Sequence, residues 1–484
     1  MTRREWLAWG GGALAQGAQA RRPNVLMIAV DDLRPSLGCY GNPGIRSPNL
    51  DRLAASGMRF DHAYCQQAVC APSRASLLSG TRPDTTRIYD LQTPLRKNLP
   101  DVLTLPQFFR QNGYETVALG KIYHHTQDDP EGWSVKPWVP PGNWTGKAAY
   151  LDPASLRAME ERDARLSAGM RAGMGPAFER PDVADDDYPD GKTATRAISE
   201  LRRLKDRPFF LATGFYKPHL PFNAPKKYWD LYDPGQFPAV TQPDWPAGSP
   251  EVARSDWGEL RSFAGMPATG PVSPELARQL MHGYAACVSF MDAQVGRVLA
   301  ELESLGLAGN TIVVLWGDHG WKLNDYGAWC KHTNFEIDTH APLLLRAPGR
   351  KLGGRSTPAL VEFVDIYPTL AELCGFQAPP HCEGLSMVPL LDKPGRRWKE
   401  AAFSQYPRGA VMGYTLRSGR WRYTEWLDRA RSSVKERELY DHSNGPLATR
   451  NLAAERAHAG EVSRLSALLD QGKGWRKVRQ AVTQ

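Results

Sequence analysis

The apolar positions of this chain fall into short unbroken runs separated by stretches with helical spacing. Residues 24–30, Asn-Val-Leu-Met-Ile-Ala-Val, show no polar alternation and end abruptly in Asp31-Asp32. A run of this kind suits a strand in the middle of a sheet covered on both faces. The runs at 115–119, 208–215, 311–316 and 341–345 read the same way. Ser47-Pro48 caps and opens a helix that stops at Gly57, and Thr104 opens one that stops at Gly113. Further helices are expected near 153–170, 191–205 and 364–374. The strongest begins at Pro274. There Tyr284, Val288, Met291, Val295, Leu299 and Leu302 recur at three- and four-residue steps and form one apolar face.

Strands alternating with helices predict an α/β sandwich with a largely parallel sheet. After about residue 395 the texture changes. Residues 413–426 read as a hairpin turning at Ser418-Gly419, 438–441 as a short strand and 452–470 as a final helix. This end predicts a small antiparallel α+β subdomain, so the division is 21–395 for the main domain and 396–484 for the second. Residues 126–190, rich in Pro, Gly, Trp and Asp, and the loop-rich 220–270 predict surface excursions that shape a pocket. The first of them carries a glycosylation sequon at Asn143.

The chain has 484 residues, 42% of them hydrophobic and 23% charged, which supports a large core and excludes a disordered chain. The formal charge is +8, yet no Lys/Arg run resembles a nucleic-acid arm, so no nucleic-acid partner is expected. Arg3 and Arg4 precede a short apolar run, and Ala18-Gln19-Ala20 is an A-x-A cleavage pattern. Residues 1–20 are therefore expected to be an export signal with a twin-arginine look, and the mature chain to be periplasmic or extracellular. No later run is long enough to span a membrane. The seven cysteines, at 39, 65, 70, 287, 330, 374 and 382, include no CxxC pair, against a zinc or thioredoxin-type reading. Cys374 and Cys382 are close enough to close a small disulfide loop, or remain thiols.

Several expected strand ends deliver polar side chains: Asp31-Asp32, Lys121 with His124, His219, and Asp318-His319. Ligand sites of α/β sheets lie at such ends. Asp31, Asp32 and Asp318 together make an oxygen-rich negative cluster that needs a cation, with Ca²⁺ or Mg²⁺ favoured by hard ligands. The softer His319 leaves Mn²⁺ or Zn²⁺ open on chemistry alone. A second feature is the stretch 70–74, Cys-Ala-Pro-Ser-Arg, which continues to Gly80. Pro72 suits the first turn of a helix and Gly80 its end. Cys70 then sits at the positive end of that helix with Arg74 one turn away, and both favour a negative group at position 70.

The string 70–80 resembles the signature of the type I, formylglycine-dependent sulfatases, with Ser79 where that family usually has Thr. The resemblance extends over residues 24–480. It rests further on Asp31-Asp32, Gly120-Lys121 with His124, Lys217-Pro218-His219, Gly317-Asp318-His319-Gly320-Trp321 and Lys331-His332-Thr333-Asn334-Phe335. Ser404-Gln405-Tyr406-Pro407-Arg408 and Met412-Gly413-Tyr414 complete it, and the pattern is nearest to the iduronate-2-sulfatase type. The resemblance implies an alkaline-phosphatase-like sandwich. It implies Cys70 oxidised to formylglycine by a formylglycine-generating or anaerobic sulfatase-maturing enzyme. It also implies Ca²⁺, with Mg²⁺ second, bound by Asp31, Asp32, Asp318, His319 and the modified Cys70. By the same resemblance Arg74 holds the formylglycine hydrate ready, and Lys121 and Lys331 clamp sulfate oxygens. His219 protonates the leaving sugar oxygen, and His124 is the base of the second half-reaction.

The expected activity is hydrolysis of a sulfate ester on a sulfated sugar. Lys331 and His332 also suit a uronate carboxylate, as in iduronate 2-sulfate. Two other readings stand beside it: a phosphodiesterase or phosphonate hydrolase on the same fold, and a sugar-binding pseudoenzyme in which Cys70 stays a thiol.

Overall fold

The computed structural model describes residues 22–473, apart from 125–126, 142–145, 167–171, 239–241 and 431–432. The export segment and the sequon at Asn143 lie outside the described residues. Seven strands form the main sheet: β1 (Asn24–Val30), β2 (Met58–Tyr64), β3 (Glu115–Gly120), β4 (Phe209–Phe215), β5 (Thr311–Gly317), β6 (Leu343–Arg346) and β7 (Arg355–Glu362). Their order is β7-β2-β6-β5-β1-β4-β3. All neighbours run parallel except β6, which is antiparallel to both β2 and β5 and makes the sheet mixed.

β1 is hydrogen-bonded on both edges, to β4 and to β5. Its side chains feed two cores in turn. Leu26, Ile28 and Val30 join one, and Val25, Met27 and Ala29 join the other. A strand with no solvent face favours apolar residues, which explains the run from Val25 to Val30; Asn24 at its start hydrogen-bonds Thr311 Oγ1 at 3.4 Å.

Helices cover both faces: α1 (Pro48–Ser56), α2 (Cys70–Ser79), α3 (Leu105–Gln111), α4 (Pro153–Asp163), α5 (Pro189–Leu204), α6 (Pro274–Ser304) and α7 (Ile366–Leu373). α5 and α6 pack on the Leu26 side, and α2, α3 and α7 on the Val25 side. The long α6 starts as its sequence signals, with Pro274 in the first turn and the Ser273 Oγ accepting the Leu276 N–H at 3.2 Å. α4 stops short of the expected residue 170.

Two strands of the sheet escape the hydrophobic pattern. β2 carries half-buried Arg59, Asp61 and His62, and β7 is one of the two edge strands, with a register shift between Thr357 and Leu360. Edge positions keep polar residues, so the alternation that marks a strand is blurred.

A second sheet is antiparallel throughout: β8 (Ala402–Arg408), β9 (Val411–Ser418), β10 (Trp421–Asp428) and β11 (Ser433–Asp441). α8 (Ala459–Lys473) lays Leu465 and Leu469 against Phe403, Leu416, Tyr423 and Leu439. The β9–β10 hairpin turns at Gly419-Arg420, one residue beyond the expected place, with Ser418 opposite Trp421. Gly419 supplies the left-handed residue at φ 52°. None of the seven cysteines is in a disulfide, so Cys374 and Cys382 do not close a loop.

Glu336 joins the two sheets. Its carboxylate accepts from Arg422 at 2.7 and 2.9 Å, from Tyr64 Oη on β2 at 2.7 Å, and faces Arg417 Nε at 3.2 Å. Burial alone would raise its pKa, but Arg422 and Arg417 outweigh that and hold it well below the usual carboxylate range. The stabilisation is therefore present above the ordinary value of 4.5 and is lost as pH falls through the lowered one. Glu336→Gln leaves two arginines without their carboxylate and is expected to cost about 3–5 kcal/mol in urea unfolding. The variant's stability is also expected to vary less with pH in the acid range. A loss under about 1 kcal/mol would show that the joint contributes little.

Candidate active site

The carboxyl ends of β1, β4, β5 and β3 deliver the chemistry. Val30 and Gly317 are register partners, so Asp31-Asp32 and Asp318-His319 leave the sheet side by side. Asp32 has left-handed backbone at φ 58°, and its N–H donates to Asp318 Oδ1 at 3.0 Å. From β3, Gly120 turns the chain at φ 69° to bring Lys121 over β4. A Cβ at Gly120 would lie 2.1 Å from the Gly214 carbonyl, and one at Gly214 would lie 2.1 Å from that of Lys121. Only glycine fits either place. His124 follows on the same turn, 9% exposed.

α2 is buried along its whole length and ends at Gly80 in left-handed backbone. Ser73 Oγ donates to the Asp318 carbonyl at 2.5 Å. Arg74 reaches Asp318 Oδ2 from Nε at 2.9 Å, Asp31 Oδ1 from Nη2 at 3.2 Å, and the carbonyls of Lys121 and Ile122 from Nη1. It thereby pins three strand ends together. Burial opposes its charge, yet Asp318 and Asp31 raise its pKa further.

The sequence expectation at Cys70 needs a correction. The thiol is fully buried beside Asp31, and burial pushes its pKa well above the ordinary value against the pull of Lys121 and Lys331. Arg74 spends its hydrogen bonds on Asp31, Asp318 and backbone, and a helix end does not offset that desolvation. Cys70 Sγ lies 3.4 Å from His319 Nε2.

The lysines sit on the carboxylates. Lys121 Nζ is paired with Asp31. Lys331 Nζ lies 3.0 Å from both oxygens of Asp32. His319 donates from Nδ1 to the Gly320 carbonyl at 2.9 Å, and its Nε2 faces Asp32 at 3.3 Å and Asp318 at 3.6 Å. Oxygens of Asp31, Asp32 and Asp318 lie within 4.8 Å of one another, as do the ligand atoms of Asp32, Cys70 and His319. Burial, with Asp31 and Glu259 adding, pushes the Asp32 carboxyl up to about 8 against Lys331 and His319. A buried carboxyl forced toward its neutral form among other carboxylates gains strongly from a divalent cation. The oxygen-rich set fits a hard one, so the residues present suit the expected metal.

One contact residue has no warning in the sequence. Glu259 sits on a short helical turn in the 220–270 excursion, with no strand before it and no periodicity around it. Its Oε1 lies 3.1 Å from His219 Nε2 and 3.2 Å from Lys331 Nζ, and its Oε2 lies 3.7 Å from His332 Nε2. Burial works against its charge, but Lys331 and His219 hold its carboxyl well below the usual range. His332, at φ 82°, bonds from Nδ1 to Tyr406 Oη at 2.9 Å, and Arg408 stacks over the Tyr406 ring at 4.3 Å and donates to the His332 carbonyl. These residues, with Arg254 and Asp256, line a cavity of about 770 Å³ beside Lys331. The end of β8 thus closes a wall of the site.

The sulfatase family profile matches residues 23–376, and that of the N-sulphoglucosamine sulphohydrolase C-terminal region matches 324–473. Human iduronate 2-sulfatase is 35% identical over 89% of this chain and 90% of its own length. A sulfatase of Formosa agariphila is 31% identical over 93% and 86%. Among solved structures, the phosphonate monoester hydrolase of Agrobacterium radiobacter aligns with a TM-score of 0.76 at 23% identity, covering 94% of this chain and 96% of that one. At that identity the likeness speaks to the fold alone, an alkaline-phosphatase-like sandwich. The family match over most of the chain, on a fold whose strand ends converge as described, places this protein in the sulfatase family, as a sulfuric ester hydrolase.

Proposed function

We propose that this enzyme hydrolyses a sulfate ester on a sulfated sugar, through formylglycine at residue 70 and Ca²⁺ held by Asp31, Asp32, Asp318, His319 and residue 70. The narrower reading is a uronate-bearing glycan such as one containing iduronate 2-sulfate, which the identity to human iduronate 2-sulfatase supports. The observation that carries the reading is the convergence on Glu259 Oε1. One anionic oxygen is met at once by a lysine ammonium and by an imidazole Nε2, and that imidazole also offers a ring nitrogen within 4.8 Å of Cys70 Sγ. An ester oxygen attached to sulfur needs the same two partners.

The divalent cation, when bound, supplies positive charge for the sulfuryl oxygens. Formylglycine supplies a hydrated aldehyde, one hydroxyl to attack sulfur and one to expel sulfate afterwards. The chain's own residues do the rest. Arg74 fixes the ends of β1, β5 and β3 around residue 70. Lys121 and Lys331, which pair with Asp31 and Asp32, turn to the sulfate oxygens and stabilise charge as it moves. His219 donates from Nδ1 to the Leu220 carbonyl at 2.6 Å, so Nε2 faces the leaving oxygen and gives it a proton as the imidazolium, a form that burial and Lys331 oppose and Asp31 and Glu259 favour. His124 takes the proton from residue 70 in the second half-reaction. Residues 21–395 form the catalytic unit and 396–484 the unit that shapes the cavity. Residues 1–20 direct export to the periplasm or beyond, and a formylglycine-generating or anaerobic sulfatase-maturing enzyme acts on Cys70.

Trypsin releases residues 60–74 as one peptide, which contains Cys65 as an internal control. In active protein, Cys65 is expected to alkylate and residue 70 to show the aldehyde mass in place of the thiol. Active protein in which both cysteines alkylate would sink the mechanism. Inactive protein with two thiols that still binds the sulfated sugar would favour the binding reading. Turnover of aryl phosphonates above that of aryl sulfates would favour the phosphonate reading.

A further inference from the structure

The geometry points to Lys217 as a positioning residue for His219, an inference that rests on His219 being the proton donor to the leaving alcohol. Lys217 is 6% exposed. Its ammonium donates to two backbone carbonyls, those of His219 at 3.0 Å and Pro221 at 2.5 Å. The nearby carboxylate of Asp190, on α5, is occupied otherwise: it accepts the backbone N–H groups of Tyr216 and Lys217, each at 2.8 Å. A buried ammonium held by carbonyls is costly, and burial lowers the Lys217 pKa accordingly. A packing role alone would be met by an apolar side chain of the same length.

The ammonium contributes geometry. Three successive carbonyls after Pro218 are each taken: residues 219 and 221 by Lys217 Nζ, and residue 220 by His219 Nδ1. The last bond fixes the ring only if the Leu220 carbonyl is itself held, and Lys217 holds the peptide units on either side of it. Nε2 then faces Glu259 at 3.1 Å and Asp32 at 3.7 Å, toward the reacting ester. Lys217 bonds to backbone, away from the ester, and acts through His219.

The test is a leaving-group comparison on the matured, full-length enzyme. 4-Nitrophenyl sulfate departs with little need of a proton, whereas the alcohol of iduronate 2-sulfate needs one. kcat/KM is measured on both for the wild type, His219→Ala, Lys217→Met and Lys217→Gln. Lys217→Met is expected to lose roughly tenfold or more beyond its aryl sulfate loss when the leaving group is the sugar alcohol, in the same direction as His219→Ala. Retained aryl sulfate turnover shows that the variant folds. Lys217→Gln keeps two N–H donors and is expected to lie between wild type and Lys217→Met; it gives the reading if Lys217→Met does not accumulate. Equal losses on both substrates in the Lys217 variants, with a selective loss in His219→Ala, would overturn the positioning role alone. Equal losses in His219→Ala as well would overturn the proton-donor role and the inference with it.

Discussion

Cys70→Ala is expected to lower sulfate ester turnover by about a millionfold, the scale of removing a nucleophile that works as part of a unit. The fold is expected to lose only about 1 kcal/mol, because no ion pair of the cluster runs through Sγ. Arg74 keeps Asp31 and Asp318, and Lys331 keeps Asp32. Binding of the sulfated sugar is therefore expected to persist while turnover disappears. Activity within tenfold of wild type would remove residue 70 from the chemistry. A wild type that binds equally well and is equally inert would mark a binding protein instead.

Lys331→Met is expected to act on two properties at once. Its ammonium is the partner of both Asp32 and Glu259, at 3.0 Å each; Lys331 and Asp32 are buried and Glu259 is half-buried. Removing it leaves Asp32 and Glu259 with imidazole partners alone, which costs about 3–5 kcal/mol in a chelator-treated sample. On the role proposed for it at the sulfate oxygens, kcat/KM is also expected to fall by about 10²–10³. The double variant with Glu259→Gln separates the effects. Much of the stability is expected to return, since one stranded charge is gone, while activity stays low. Recovery of activity together with stability would show that Lys331 serves the fold and not the sulfate.

Legibility in the sequence followed burial and locality. β1 could be read because both of its faces and both of its edges are covered, and every position after Asn24 is apolar. Asp31, Asp32, Asp318 and His319 could be read because they follow such strands directly, and Cys70 and Arg74 because a helix start and a family string mark them. The direction of β6 was not legible, since three leucines fit a strand running either way. β2 and β7 were obscured by the polar residues that an edge or a half-exposed strand tolerates. Glu259 was out of reach for a different reason. It meets Lys331 and His219 only in the folded chain, from a turn that has no regular pattern. Tyr406 and Arg408 stood inside a recognisable string, but nothing local told that β8 would bring them against His332.

The burial of α2 has a consequence in time. All ten of its residues, Cys70 included, lie beneath other parts of the chain. A second enzyme needs to grip several residues around its target, and the closed fold offers it none. On the proposed formylglycine reading, the enzyme that oxidises Cys70 therefore works while the chain is still open, and folding ends the opportunity. Active yield becomes a race between two rates, so slowing the closure of the fold raises the active fraction and speeding it lowers that fraction. On the same reading, a chain refolded from denaturant as the bare cysteine form is expected to be stable, complete in every contact described above, and silent.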